Sequence, residues 1–85
     1  MAVVMYSTRI CPYCTRAEQL LHRKGVEIEK IMVDQDHEAM TTMMVRTQRQ
    51  TVPQIFIGDI HIGGYDDLAR LEMAGELNTL LGIET

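Results

Sequence analysis

The sequence predicts an α/β domain in which helices flank a four-stranded mixed β-sheet, in the order βαβαββα plus a C-terminal helical turn. In the first half of the chain, apolar runs of strand length alternate with helical patterns, which is typical of a right-handed parallel strand–helix–strand unit. In the second half, Gln54–Ile57 and Ile60–Ile62 are separated only by Gly58-Asp59, which favours a tight antiparallel hairpin. Eighty-five residues suffice for one small core, so we expect residues 1–85 to form a single domain.

The first strand and the first helix meet at a pair of cysteines. Ala2–Tyr6 is apolar on both alternating faces, which favours a central strand covered on both sides. A helical pattern begins at Pro12, which suits the first helical position because proline lacks an N–H, and Gly25 suits its end. The apolar positions of this helix are Cys14, Ala17, Leu20 and Leu21.

The next segment predicts an edge strand and a second helix. Val26–Val33 alternates and then becomes apolar, which indicates a strand with one exposed portion at the sheet edge. Asp34 and Asp36 can cap a helix from about His37 to Arg46. Core packing explains the methionines of this helix better than copper binding does, so we expect three of them to face inward: Met40, Met43 and Met44.

A third helix follows the hairpin. Gly63-Gly64 interrupts the last strand, and Asp66-Asp67 places negative charge in the first helical turn, where it is favourable. The predicted buried side chains of this helix are Leu68, Leu71 and either Met73 or Ala74. Glu76–Leu81 then predicts a short terminal helix.

Composition limits the classes of partner. The net charge of −4 and the pI near 5.2 argue against a general nucleic-acid partner, which calls for a basic surface. No apolar run approaches the roughly 18 residues of a membrane-spanning helix. The first residues have no basic region and too short an apolar stretch for a secretion signal. We therefore expect a cytoplasmic monomer that binds neither nucleic acid nor membrane.

The two cysteines carry the predicted chemistry. In a reducing compartment, a cysteine pair is more consistent with catalysis than with a structural crosslink. Cys11 lies where a buried strand gives way to a helix, and the free N–H groups and partial positive charge of a helix start favour thiolate over thiol. Cys14, almost one turn further on, is close enough to attack a disulfide formed at Cys11. The spacing predicts thiol–disulfide exchange, with Cys11 as nucleophile and Cys14 as resolving thiol.

A passive metal-binding domain is an alternative interpretation of a C-x-x-C pair. A structural zinc site needs further ligands, and the remaining histidines are scattered along the chain: His22, His37 and His61. None of them is a credible catalytic base either. The sequence therefore predicts no metal site.

Three motifs lie at specific distances from one another: Cys11-Pro12-Tyr13-Cys14, Thr51-Val52-Pro53 and Gly63-Gly64-Tyr65-Asp66-Asp67. With them the chain resembles a small dithiol glutaredoxin of bacterial type, and the resemblance covers essentially the whole chain. C-x-x-C alone is weak evidence, whereas the three motifs together are highly specific. The resemblance implies the thioredoxin fold and a cis peptide bond before Pro53.

The resemblance also implies glutathione as the reducing co-substrate, with no permanently bound cofactor. In a mixed disulfide with Cys11, the cysteine backbone of glutathione would pair with Val52 as a short added strand. Its γ-glutamyl carboxylate would meet the N–H groups of Gly64, Tyr65 and Asp66, where the third helix begins. The carboxylate of Asp66 would pair with its ammonium group.

Further side chains complete the implied glutathione site. Arg49 would bind the glycyl carboxylate, since a guanidinium can donate two parallel hydrogen bonds to it. Tyr13 would flank the tripeptide, and Thr51 and Pro53 would border it.

One position departs from the family pattern. Relatives often carry a lysine three residues before the first cysteine, and this chain has Thr8 there. Arg9 is the predicted replacement for that cation. If Arg9 points elsewhere, stabilisation of the thiolate depends more on the helix terminus.

The predicted function is the reduction of glutathione mixed disulfides and protein disulfides, and the resemblance makes ribonucleotide reductase one expected target. Two alternatives share the fold. The first is a glutaredoxin-like electron donor that thioredoxin reductase reduces. The second is an iron–sulfur cluster carrier that uses Cys11 and glutathione as ligands, which Pro12 disfavours by resemblance.

Overall fold

A computed structural model describes residues 2–83, so residues 1, 84 and 85 of the predicted domain lie outside the described part. The described elements follow the predicted order. The strands are β1 (Val3–Ser7), β2 (Ile28–Met32), β3 (Gln54–Ile57) and β4 (Ile60–Gly63). The helices are α1 (Pro12–Arg23), α2 (His37–Thr47), α3 (Tyr65–Met73) and α4 (Leu77–Leu81).

The four strands form one mixed sheet in the order β2-β1-β3-β4. β1 pairs in parallel with β2 and antiparallel with β3, where Met5 lies opposite Ile55. β3 and β4 form the predicted hairpin, with Ile57 opposite Ile60 across the two-residue turn. The central position of β1 and the edge position of β2 are as predicted.

Each face of the sheet carries its own apolar cluster, because successive side chains of a strand point to opposite faces. The larger cluster joins Met5 and Ile55 of the sheet to helices α1, α3 and α4. The smaller cluster joins Tyr6 and Phe56 to Met43 of α2. The larger cluster holds both ends of the cysteine motif, since Cys14 belongs to it and Cys11 packs against it.

Two packing predictions were wrong in part. Of the three methionines expected to face inward, only Met43 is fully buried, while Met40 is half-buried and Met44 is exposed. The smaller cluster has only four buried members, and Met43 is the one that α2 contributes. Thr47, one turn further along α2, is the other buried residue of that helix. On α3, Leu68 is fully buried and Leu71 half-buried, but neither Met73, at 89% exposure, nor Ala74 is buried, because these two residues lie at the exposed end of the helix.

The helix ends use the residues that their backbone geometry favours. Gly25 follows α1 with φ of +76°, a left-handed conformation that glycine adopts at little cost. Of the two aspartates expected to cap α2, Asp36 does so by accepting a hydrogen bond from the N–H of Ala39 at 3.2 Å. Asp34 instead accepts hydrogen bonds from Arg9.

Candidate active site

Cys11 lies at the N-cap of α1, at the end of the loop that leaves β1. Its backbone is extended, with φ −154° and ψ 96°, so its side chain turns back over the first helical turn. The Sγ atom accepts a hydrogen bond from the N–H of Cys14 at 3.1 Å. Pro12 occupies the first helical turn as predicted. The sulfur of Cys11 therefore takes the capping position, where a helix favours negative charge.

Cys11 and Cys14 are joined by a disulfide, with their Cα atoms 5.2 Å apart. The proximity expected from the sequence is confirmed. The two sulfurs differ in environment, because Cys14 is buried at 3% exposure and Cys11 is only partly buried. An incoming thiol or disulfide therefore reaches Cys11 first.

The loop before β3 lies against Cys11. The Val52–Pro53 peptide bond is cis, as the resemblance implied. The carbonyl oxygen of Val52 is 3.9 Å from the Sγ atom of Cys11. The N–H of Val52 has no hydrogen-bond acceptor among residues 2–83. The main-chain N–H of Val52 is thus free beside the sulfur.

The start of α3 forms the other side of the site. Gly64 is the N-cap residue, and its N–H donates to Oδ2 of Asp67 at 2.9 Å. Of the three N–H groups that the resemblance assigned to the γ-glutamyl carboxylate, that of Gly64 is therefore already occupied. The N–H groups of Tyr65 and Asp66 have no hydrogen-bond acceptor in the described part of the chain. Free N–H groups at the start of a helix attract an anion.

Asp67 connects this helix start to a cation on the opposite loop. Arg49 Nη1 donates to Asp67 Oδ2 at 3.2 Å, and Arg70 Nη1 donates to Oδ1 at 3.3 Å. The pKa of Asp67 is lowered from its usual value, chiefly by the N–H of Gly64 and then by Arg49, while burial opposes the shift. The carboxylate is therefore held in its charged form next to the site.

Gly63 makes this arrangement sterically possible. Its φ of +114° is a conformation that side chains disfavour. A Cβ atom at this position would overlap the carboxylate of Asp67 and would lie 3.1 Å from Nη1 of Arg49. The absence of a side chain at Gly63 thus leaves room for the pair between Asp67 and Arg49.

These elements enclose a cleft of about 290 Å³ between the Val52–Pro53 loop and α3. The residues that line it are Tyr13, Arg49, Thr51, Val52, Pro53, Gln54, Gly64, Tyr65, Asp66 and Asp67. Eight of the nine residues that the sequence assigned to glutathione lie in this list, and Arg9 does not. A larger groove of about 510 Å³ lies between β4 and the last two helices. Neither cysteine lines either cavity, but the smaller cleft is lined by Val52, whose carbonyl oxygen lies 3.9 Å from Sγ of Cys11. The smaller cleft is the candidate site because of its neighbouring sulfur.

Two aromatic rings flank the cleft. The rings of Tyr13 and Tyr65 lie 6.0 Å apart, and the guanidinium of Arg16 lies 5.2 Å from the centre of the Tyr13 ring. Tyr13 is 53% exposed, so its ring is available to a ligand. Its position fits the predicted flanking contact.

Sequence reasoning missed Gln54 as a lining residue. Its buried amide donates from Nε2 to Oγ1 of Thr51 at 3.3 Å, and its Oε1 lies 2.7 Å from Nε2 of His61. The ring of His61 stacks on Phe56, and burial together with the charge of Arg49 lowers the pKa of His61. The sequence did contain a signal for this role, because Gln54 is the one polar residue at the start of the otherwise apolar strand β3.

Arg9 lies outside the cleft lining. Its main-chain N–H and its Nε both donate to Oδ2 of Asp34, at 3.2 and 3.1 Å. The side chain of Arg9 is thus paired with Asp34 through Nε, and it is 68% exposed. Its role in glutathione binding stays a prediction.

Nothing in the described residues groups three or more side chains of the kinds that bind metal ions: His, Cys, Asp and Glu. None of the described helices is both long enough and apolar enough to span a membrane.

A redox-active cysteine pair at a helix N-terminus, beside a cis-proline loop on a mixed sheet, defines a thiol–disulfide oxidoreductase. Comparisons with known proteins specify the family. The Glutaredoxin family model matches residues 3–62. The chain is 51% identical over 79 residues to a glutaredoxin of Pseudomonas aeruginosa, which covers 93% of this chain and 94% of the relative. This protein belongs to the glutaredoxin family.

Solved structures agree with this assignment. A solution structure of glutaredoxin from Brucella melitensis superposes with a TM-score of 0.84 at 44% identity, covering 100% of this chain and 95% of that one. A crystal structure of a buckwheat glutaredoxin–glutathione complex gives a TM-score of 0.87 at 31% identity, covering 94% and 76%. The mixed sheet and its flanking helices are thus the thioredoxin fold of these glutaredoxins.

Proposed function

We propose that this protein is a glutathione-dependent oxidoreductase that reduces glutathione mixed disulfides and protein disulfides. The supporting observation is the cleft, which combines a free main-chain N–H at Val52, two free N–H groups at the start of α3 and a cation at Arg49. Glutathione offers the matching groups: a backbone amide, two carboxylates and an ammonium. The buckwheat glutaredoxin was solved as a complex with glutathione, which supports the same ligand here.

Glutathione would lie extended along the cleft. Its sulfur would bond to Cys11, and its cysteine backbone would pair with Val52. Its γ-glutamyl carboxylate would accept hydrogen bonds from the N–H groups of Tyr65 and Asp66. Its ammonium would pair with the side chain of Asp66.

The other end of the tripeptide would face the loop before β3. Arg49 would bind the glycyl carboxylate while Asp67 holds the opposite side of its guanidinium. Tyr13 would flank the ligand, and Thr51, Pro53 and Gly64 would form its walls. Arg9 would contribute positive charge from outside the cleft.

The monothiol reaction uses Cys11 alone. Its thiolate attacks the glutathione sulfur of a mixed disulfide, the new bond forms as the old sulfur–sulfur bond breaks, and the substrate thiolate leaves and takes a proton from water. A glutathione thiolate then attacks the glutathione sulfur bound to Cys11. Oxidised glutathione leaves, and the Cys11 thiolate is restored. The N–H of Cys14 stabilises that thiolate, because it already donates to Sγ of Cys11.

The dithiol reaction adds Cys14. After Cys11 attacks a protein disulfide, the Cys14 thiolate attacks the sulfur of Cys11 and releases the reduced protein. The product is the Cys11–Cys14 disulfide, the same bond that joins the two cysteines in the structure. Two glutathiones then restore the dithiol. The protein partners would be disulfide-bearing or glutathionylated proteins of the cytoplasm, ribonucleotide reductase among them.

The test couples turnover to NADPH oxidation with a glutathionylated small disulfide as substrate. One reaction contains glutathione and glutathione reductase, and the other contains thioredoxin reductase alone. Turnover that needs glutathione and disappears in Cys11→Ser is the expected result. Turnover with thioredoxin reductase alone would contradict the assignment of glutathione to the cleft.

A further inference from the structure

We propose that Asp34 is a positioning residue for the nucleophile, which it serves by anchoring the loop between β1 and α1 through the main chain of Arg9. This inference rests on the proposed role of Cys11. The N–H of Arg9 donates to Oδ2 of Asp34 at 3.2 Å, across a separation of 25 residues. Arg9 lies two residues before Cys11. This bond therefore restrains the backbone that positions Cys11 at the start of α1.

The loop has few other restraints. The parallel pairing of β1 with β2 extends to the bond from the N–H of Val33 to the carbonyl of Ser7 at 2.9 Å. Beyond Ser7, the hydroxyl of Thr8 donates locally to the carbonyl of Ile10, and the side chain of Ile10 is 91% exposed. Among the described hydrogen bonds, only those to Asp34 tie residues 8–10 to a distant segment.

The main-chain bond is the effective contact of the two. The side chain of Arg9 is 68% exposed, so its ion pair with Asp34 is screened by solvent and contributes little. The main-chain bond is exposed as well, but it acts directly on the backbone of the loop and does not require a long side chain to be ordered. The lowered pKa of Asp34, caused first by the main-chain N–H of Arg9, agrees with this contact.

The test measures alkylation of reduced Cys11 by iodoacetamide as a function of pH, with mass spectrometry to locate the label. Asp34→Ala should slow alkylation about fivefold at neutral pH, the effect of one ordinary hydrogen bond, and should move the midpoint of the profile to higher pH. Asp34→Asn keeps an oxygen acceptor for the Arg9 N–H and should retain most of the rate. Asp59→Ala removes the same charge in the turn at the opposite end of the sheet and should change nothing.

The direction of the shift distinguishes anchoring from simple electrostatics. Loss of a nearby negative charge by itself stabilises a thiolate and moves the midpoint to lower pH. A midpoint that stays in place or moves down in Asp34→Ala would therefore overturn the proposal. Alkylation needs no glutathione, so this result is independent of whether the glutathione-coupled assay succeeds.

A second measurement needs no variant. In the NMR spectrum of the native chain, the amide proton of Arg9 should exchange slowly for an exposed loop and should shift with pH as Asp34 titrates. Rapid exchange with no acidic titration would show that the anchor is absent in solution, and the proposal would fail.

Discussion

The carboxylate of Asp67 binds the guanidinium of Arg49 at 3.2 Å and the N–H of Gly64 at 2.9 Å. One side chain thus connects the loop before β3 to the start of α3, the two walls of the cleft. Because both walls are proposed to bind carboxylates of glutathione, Asp67 should control binding as well as stability.

Asp67→Ala should lower the free energy of unfolding by about 1 kcal/mol, since it removes the side-chain cap on Gly64. It should also raise KM for glutathione roughly threefold, because Arg49 loses a partly exposed ion pair that orients it. Urea unfolding and the coupled NADPH assay measure the two effects. Asp59→Ala is the matched control, and a KM change of equal size in that variant would contradict the explanation.

The contribution of Asp67 should depend on pH in a predictable direction. Its pKa is lowered in the folded chain, so the unfolded chain binds the proton more readily in acid. The stabilisation is complete above the ordinary value of 3.8 and is lost as pH falls through the lower folded pKa. Urea unfolding should show a constant gap between the native chain and Asp67→Asn above about pH 5, and a shrinking gap below pH 4. A gap unchanged at acidic pH would argue against a charged Asp67.

Gly63→Ala should damage both stability and binding. The positive φ alone costs about 1 kcal/mol for alanine, and the new methyl group would also displace Asp67 from Arg49. Thermal unfolding and KM for glutathione measure the result. Gly25→Ala is a suitable control, because Gly25 has φ of +76° and open space around its Cβ position. Only the stability should fall in that control, and equal effects in both variants would rule out the steric explanation.

Cys14→Ser should separate the two reactions. The variant keeps Cys11 at the helix start, so turnover of a glutathionylated small substrate should stay within about threefold of the native rate. Reduction of a protein disulfide should fall by more than tenfold, because no second thiol can release the substrate from Cys11. The two assays run on the same preparation provide the comparison. If both activities disappeared together, the proposed division of roles would be wrong.

Local pattern was sufficient to predict most of the fold. Alternation and helical spacing depend on near neighbours, so the first strand, predicted as Ala2–Tyr6 and found as Val3–Ser7, was placed to within one residue at each end, and the hairpin around Gly58-Asp59 was placed correctly. Burial within α2 was less predictable, because it depends on which face the helix turns toward the smaller cluster around Phe56. That is why Met43 is buried and Met44 is not.

The sequence by itself determined the cysteine pair, its place at the start of α1 and the residues of three motifs, because each lies within a few neighbouring positions. Tertiary structure decided the partners of the charged side chains. Arg9 binds Asp34 across 25 residues, and Arg49 binds Asp67 across 18. Such pairs depend on which distant loops the fold brings together at the ends of the sheet. The identity of a charged side chain does not specify which residue will become its partner.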